Sequence, residues 1–189
     1  MTTMSPSRRQ GTALFVLLLM LCPISGCIFP EKTVSESEGS DQESPSSEPS
    51  TLSTQCMEFR AVERCWTLLV PGNVSTEQPV PLVLDLHGHG ATSSSQVNMS
   101  SFATLAVEEH FIVAYPQGYD SFWGLGFDGV DNDLDDVGFL TAVIDSVIEA
   151  YPIDEARIYM SGWSNGCKMT QRFAVETQGV LASAGCMSG

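Results

Sequence analysis

From about residue 56 onward, the 189-residue chain switches repeatedly between two hydrophobic patterns. Short, continuous apolar runs span Cys65 to Val70, Pro81 to Leu86, Phe111 to Tyr115, Arg157 to Ser161 and Leu181 to Met187. Runs of this length bounded by Pro, Gly and Asn read as buried strands. Between them, apolar residues recur every three or four positions, which is the helical period. The clearest case is Asp135 to Ala150, where Leu140, Val143, Ile144, Val147 and Ile148 share one face. Ser100 to Glu109, with Phe102, Leu105 and Ala106 on one side, and Lys168 to Thr177 are the other helical segments. Strands alternating with helices predict an α/β fold, with a mostly parallel sheet covered on both faces. No internal repeat is visible.

The first 55 residues lack this alternation. Met1 to about Gly26 has the form of a secretory signal: Arg8 and Arg9, an apolar stretch from Ala13 to Cys22, then Ser25 and Gly26 before a cut. An apolar run of about ten residues is too short to span a bilayer roughly 30 Å thick. Ile24-Ser25-Gly26-Cys27 also resembles a bacterial lipoprotein signal, which would make Cys27 a lipid anchor. The acceptor triplets Asn73-Val74-Ser75 and Asn98-Met99-Ser100 suit a glycosylated eukaryotic secreted protein instead. Both readings place the protein outside the cytosol, secreted or held at the outer cell surface. Residues 27–55, rich in Ser, Glu, Thr and Pro, read as a disordered linker, because such a segment buries too little apolar surface to offset its chain entropy. The folded domain is therefore expected over residues 56–189.

Charge narrows the partners. Residues 56–189 hold 17 acidic residues against Arg60, Arg64, Arg157, Lys168 and Arg172, a balance of −12. A phosphate backbone needs a basic face, so nucleic acid and anionic lipid are excluded as partners. An exported protein can oxidise its cysteines. Cys56 and Cys65 bracket a short segment, and Cys167 and Cys186 fall at the same edge of a parallel sheet, so the expected bridges are Cys56–Cys65 and Cys167–Cys186. None of these cysteines has metal-site spacing, and neither a metal nor an organic cofactor is expected.

Candidate chemistry centres on Gly162-Trp163-Ser164-Asn165-Gly166. This G-x-S-x-G sits between a strand and a helix, where a serine on a tight turn holds its hydroxyl above the sheet. The helix N-terminus behind it stabilises developing negative charge. A side chain at either glycine would collide with the neighbouring strand or helix. Upstream, an apolar strand runs into His87-Gly88-His89-Gly90, the place where a second oxyanion donor is found in hydrolases with such a turn. His89 or Gly90 would give one backbone N–H and Asn165 the other. His87 and His89 make neither a triad, which in this order places histidine after the serine, nor a convincing zinc site, for want of an acidic third ligand. His87 is expected to brace the loop and His110 to be solvated. The acidic run Asp128 to Asp136 fails the EF-hand pattern at Asp136 and Ala142, so Asp135 or Asp136 is expected to cap the following helix.

In order, His87-Gly88-His89-Gly90, Tyr115-Pro116-Gln117-Gly118, Asp135-Asp136-Val137-Gly138-Phe139 and Gly162-Trp163-Ser164-Asn165-Gly166 resemble the secreted esterases grouped as polyhydroxybutyrate depolymerase-like and feruloyl esterase-like, of the α/β-hydrolase superfamily. The resemblance covers about Arg64 to Gly189. It implies Ser164 as nucleophile and His89 and Asn165 as backbone oxyanion donors. It also implies hydrolysis of carboxylic esters, such as feruloyl or acetyl groups on plant polysaccharide or short hydroxyalkanoate polyesters. Trp163 stands where a smaller residue is usual and is expected to shape the substrate pocket. Cys167 replaces the commoner glycine, as in a disulfide-bearing subgroup. The family's acid and histidine follow two further strands, so the sequence reads as an α/β-hydrolase incomplete at its C-terminus, with both residues beyond residue 189. The competing expectation is a non-catalytic surface module that binds polysaccharide or a partner through the hydrolase fold.

Overall fold

The computed structural model describes residues 49–74, 77–126 and 134–189. The expected signal segment, Cys27 and nearly all of the linker lie outside the described residues, as do Ser75 and the greater part of the acidic run.

The sheet begins earlier than the composition indicates. Strand β1 (Thr51–Phe59) takes in the last five residues assigned above to the linker and pairs antiparallel with β2 (Val62–Val70). Alternate β1 residues are half-buried, with Met57 and Phe59 packed against the core, while the opposite face is exposed. Such an edge strand needs few apolar residues and so resembles linker in composition. The connecting residues Arg60 and Ala61 both have positive φ (51° and 64°), as a two-residue hairpin turn requires. Cys56 faces Cys65 across this hairpin and the two are joined, as are Cys167 and Cys186.

The remaining strands are β3 (Val80–Leu86), β4 (Ile112–Pro116), β5 (Ile153–Trp163) and β6 (Ser183–Met187), in the spatial order β1-β2-β4-β3-β5-β6. Pairings β4–β3, β3–β5 and β5–β6 are parallel, whereas β1–β2 and β2–β4 are antiparallel. The expected mostly parallel sheet is thus correct for β4, β3, β5 and β6 and becomes mixed at the N-terminal hairpin. β6 is an edge strand with every residue exposed.

Helices cover both faces. α1 (Ser93–Met99) and α2 (Phe102–Glu109) pack on one side, and α3 (Asp136–Ala150) and α4 (Asn165–Glu176) belong to the larger core on the other. The helix expected over Ser100 to Glu109 is α2, and α1 precedes it as a helix the pattern did not indicate, ended by the extended backbone of Ser100 (φ −93°, ψ 154°). Leu105 faces solvent rather than the core. Strand alternation distributes the side chains: Leu82, Leu84 and Leu86 enter the larger core with Leu140, Val143 and Phe173, and Val83 enters the smaller one with Val113 and Tyr115. Asp135 caps α3 by accepting from Gly138 N–H at 2.8 Å. Asp136, fully buried, receives Arg64 at 2.6 Å and the Gly124 N–H at 2.7 Å.

Candidate active site

Ser164 stands between β5 and α4 with φ 52° and ψ −112°, a conformation that penalises any Cβ. Its backbone N–H donates to the Met187 carbonyl at 2.8 Å, and its carbonyl accepts from Lys168 N–H to begin α4. Among the described residues its hydroxyl has no hydrogen-bond partner. The flanking glycines are steric necessities. A Cβ at Gly162 would overlap the Gly166 carbonyl, and one at Gly166 would overlap the carbonyls of Leu86 and His87. α4 therefore starts hard against the end of β3, and its unpaired N-terminal N–H groups open toward the serine.

The loop after β3 lies against the same turn. A Cβ placed on Gly88 would sit 3.6 Å from the Ser164 Cβ and 3.3 Å from the Trp163 carbonyl. Among the described residues the N–H groups of His89 and Asn165 have no acceptor. The His89 side chain is exposed and stacks edge-on with Phe122.

His87 is buried beneath this loop. Its Nε2 accepts the Gly118 N–H at 2.9 Å, so that nitrogen carries no proton and Nδ1–H is left to donate to the Gly88 carbonyl at 2.8 Å. Burial lowers its pKa from 6.5, against smaller opposing effects of the Gly88 bond and Asp136. With both nitrogens engaged, His87 braces the loop and is not free to act on Ser164. His110 is exposed in the left-handed cap of α2.

Trp123 is a site residue that the motifs do not indicate. Its indole N–H donates to the His87 carbonyl at 2.9 Å, and its backbone both donates to Asn165 Oδ1 (2.8 Å) and accepts from Asn165 Nδ2 (3.1 Å). The Asn165 side chain is thereby spent on holding its own backbone N–H in place. Asp85, at the root of the His89 loop, is a buried polar residue that the motifs do not indicate either. It is wholly buried in an apolar strand, and burial raises its carboxyl pKa from 3.8. An acid in the run Pro81 to Leu86 was itself a signal, since carboxylates are almost never buried without a specific partner.

Beside the serine, Trp163 (39% exposed) and Met187 (50% exposed) wall a cavity of about 360 Å³ with Gln96, Met99, Ser100 and Ser188. Trp163 adjoins Ser164 by a peptide bond and Met187 by the hydrogen bond already described, so the cavity flanks the serine turn.

No protein-family model matches the chain. The bifunctional acetylxylan esterase/xylanase XynS20E of Neocallimastix patriciarum is 31% identical over 120 residues, covering 63% of this chain and 17% of that protein. The putative esterase NocK of Nocardia uniformis subsp. tsuyamanensis is 29% identical over 122 residues, again 63% of this chain and 36% of its own. The chain thus spans well under half the length of these two curated relatives. Among solved structures, the acetyl xylan esterase of Aspergillus awamori superposes with a TM-score of 0.59 at 22% identity, covering 72% of this chain and 53% of that one. At that identity the superposition establishes the fold alone. The chain therefore has the fold of that esterase and is similar in sequence, over 63% of its length, to two proteins named as esterases.

Proposed function

We propose that the protein is an exported carboxylic ester hydrolase that works through an acyl-enzyme. Ser164 attacks the ester carbonyl, the N–H groups of His89 and Asn165 hold the oxyanion, and water releases the acyl group. The observation that carries this reading is the strained Ser164 turn with two acceptor-free N–H groups beside it, the His89 loop lying in van der Waals reach. Backbone strain of this kind persists where a surrounding structure enforces it, and here Trp123 and the two glycines do so.

The cavity beside Trp163 serves the acyl side of the ester. Its volume is at the low end for ligand sites, which fits one compact acyl group rather than a length of polymer. Acetyl or feruloyl groups on polysaccharide, or a hydroxyalkanoate unit, are the substrates in this reading, and XynS20E supports the first by its name. The mechanism needs a general base for Ser164, which His87 cannot supply. Two disulfides fit an oxidising compartment, and Asn73 and Asn98 are exposed where a glycan would attach.

The test is hydrolysis of p-nitrophenyl acetate and methyl ferulate by the full gene product and by Ser164→Ala. Release that vanishes in the variant is expected. Equal release, or none from either protein, removes the esterase reading and leaves a hydrolase-fold module that binds without turnover.

A further inference from the structure

The loop that carries His89 leaves β3 after Leu86 and returns to the fold at α1, which begins at Ser93. A hydrogen bond closes its two ends: Gln96 Nε2, on the second turn of α1, donates to Asp85 Oδ2 at 2.9 Å. The other carboxyl oxygen accepts from Ser161 Oγ at 3.1 Å, and Ser161 is both the register partner of Asp85 on β5 and three residues ahead of Ser164. One buried side chain therefore joins the root of the His89 loop, its return helix and the strand that delivers the serine.

The surroundings make this junction expensive. Asp85 and Gln96 are 0% and 1% exposed. The Tyr115 hydroxyl faces them from β4, with its pKa pushed up to about 12 by burial. Ser100 Oγ, after α1, lies near Asp85 and Tyr115 and completes a hydrogen bond with neither. No cation from β3, β4, β5 or α1 pairs with the carboxyl, since the sole basic residue on those elements, Arg157, is bonded to Asp154 at the surface. Replacing a buried polar set by apolar groups of the same shape is commonly neutral or stabilising, so folding alone does not call for it. What the set provides is a unique geometry between three elements.

We propose that Asp85 and Gln96 form a clasp that positions the His89 N–H relative to Ser164, a positioning role and not a catalytic one. The inference rests on the esterase reading of Ser164 and His89. Gln96 Oε1 has no partner at present, which gives the clasp a specific signature. With Asp85→Asn the Gln96 amide can turn over and accept from the new amide, so the clasp survives without the charge. With Gln96→Leu it is lost, while the helix keeps a buried side chain of similar size.

The experiment uses the full gene product, with Ser164→Ala as the control for the esterase reading. Gln96→Leu is expected to lower kcat about 10-fold, the size of one misaligned hydrogen-bonding group. The factor should be the same for p-nitrophenyl acetate and methyl ferulate, although Gln96 also lines the cavity. The melting temperature should fall by a few degrees, because the buried Asp85 carboxyl loses one of its two partners. Asp85→Asn is expected to retain kcat within about twofold. An unchanged kcat in Gln96→Leu, or an equal loss in Asp85→Asn, overturns the clasp. A loss of kcat in Gln96→Leu that differs severalfold between the two esters also overturns it, since that marks a changed cavity wall and not a displaced oxyanion donor. If wild type and Ser164→Ala hydrolyse equally, the esterase reading has failed on its own, and amide hydrogen exchange then decides the clasp. Faster exchange confined to residues 86–92 in Gln96→Leu, and absent in Asp85→Asn, supports it. Unchanged exchange in both variants refutes it.

Discussion

If Ser164 is held in its backbone conformation for chemistry, the fold should become more stable when the constraint is removed. The residue has φ 52° and ψ −112°, where a Cβ costs of order 1–3 kcal/mol. Ser164→Ala removes the hydroxyl and keeps the Cβ. Because that hydroxyl has no partner among the described residues, its loss changes stability little. Ser164→Gly removes the strain as well, at a cost of roughly 0.4–1 kcal/mol in extra unfolded-state entropy. The net difference between the two variants is about 1–2 kcal/mol in favour of glycine, or roughly 3–6 °C in melting temperature for a chain of this size. Both variants are expected to be inactive. Urea unfolding followed by tryptophan fluorescence reads the comparison directly. A glycine variant no more stable than the alanine variant would show that Ser164 carries no strain and that its turn is an ordinary one.

Four further expectations separate other parts of the design. Burial holds the His87 pKa below 6.5, so its contribution to stability is intact above that value and is lost as pH falls through the lower folded pKa. Stability should therefore decline on acidification by up to about 1.4 kcal/mol per pH unit, and His87→Gln should remove that slope. Asp85 behaves oppositely: its folded pKa is raised above 3.8, so its contribution is present below 3.8 and lost as pH rises through the folded value. Asp85→Asn should match wild type in acid and exceed it at neutral pH in denaturant titrations. Arg64→Met leaves Asp136 charged and buried and should cost roughly 3–5 kcal/mol, most of which Arg64→Met with Asp136→Leu should recover. Loop closure gives about 3 kcal/mol for Cys167–Cys186, with a separation of 19, and somewhat less for Cys56–Cys65, with a separation of 9. Paired alanine variants that reverse this order would contradict the chain-entropy account.

How much of this was legible in the sequence depends on whether a feature is local. The strands β3 and β4 announce themselves as continuous apolar runs because both of their faces are covered, whereas β5 shows only in its second half, since Glu155 to Arg157 are exposed. The two glycines around Ser164 could be read because their constraint is set by residues a few positions away. β1 could not: it is an edge strand with one half-buried face, and its turn uses Arg60-Ala61 in place of the usual Asn-Gly. The start of α1 was hidden because its cap carries no usual marker. Thr92 and Ser95 make a capping box through two hydroxyls, without the Glu or Gln that normally marks one. Trp123 and the Arg64–Asp136 pair were illegible because their meaning lies in contacts 36 to 72 residues away along the chain.

Those long-range contacts explain how the serine turn is kept in place. Asp136 accepts the Gly124 N–H at 2.7 Å while paired with Arg64, whose guanidinium also lies 3.9 Å over the Phe139 ring. Arg172 of α4 donates to the Gly124 carbonyl at 2.9 Å, so the residue after Trp123 is held at both its N–H and its carbonyl. Trp123 in turn fixes Asn165 through two hydrogen bonds and the His87 carbonyl through a third. A strained serine survives only if the elements on either side cannot relax, and relaxation here would require breaking this set, which includes a buried ion pair. The stability that Arg64 and Asp136 lend to the core is thus spent at Ser164. It follows that Arg64→Met should reduce turnover as well as stability, whereas breaking the exposed Arg60–Asp135 pair should reduce neither by a comparable amount.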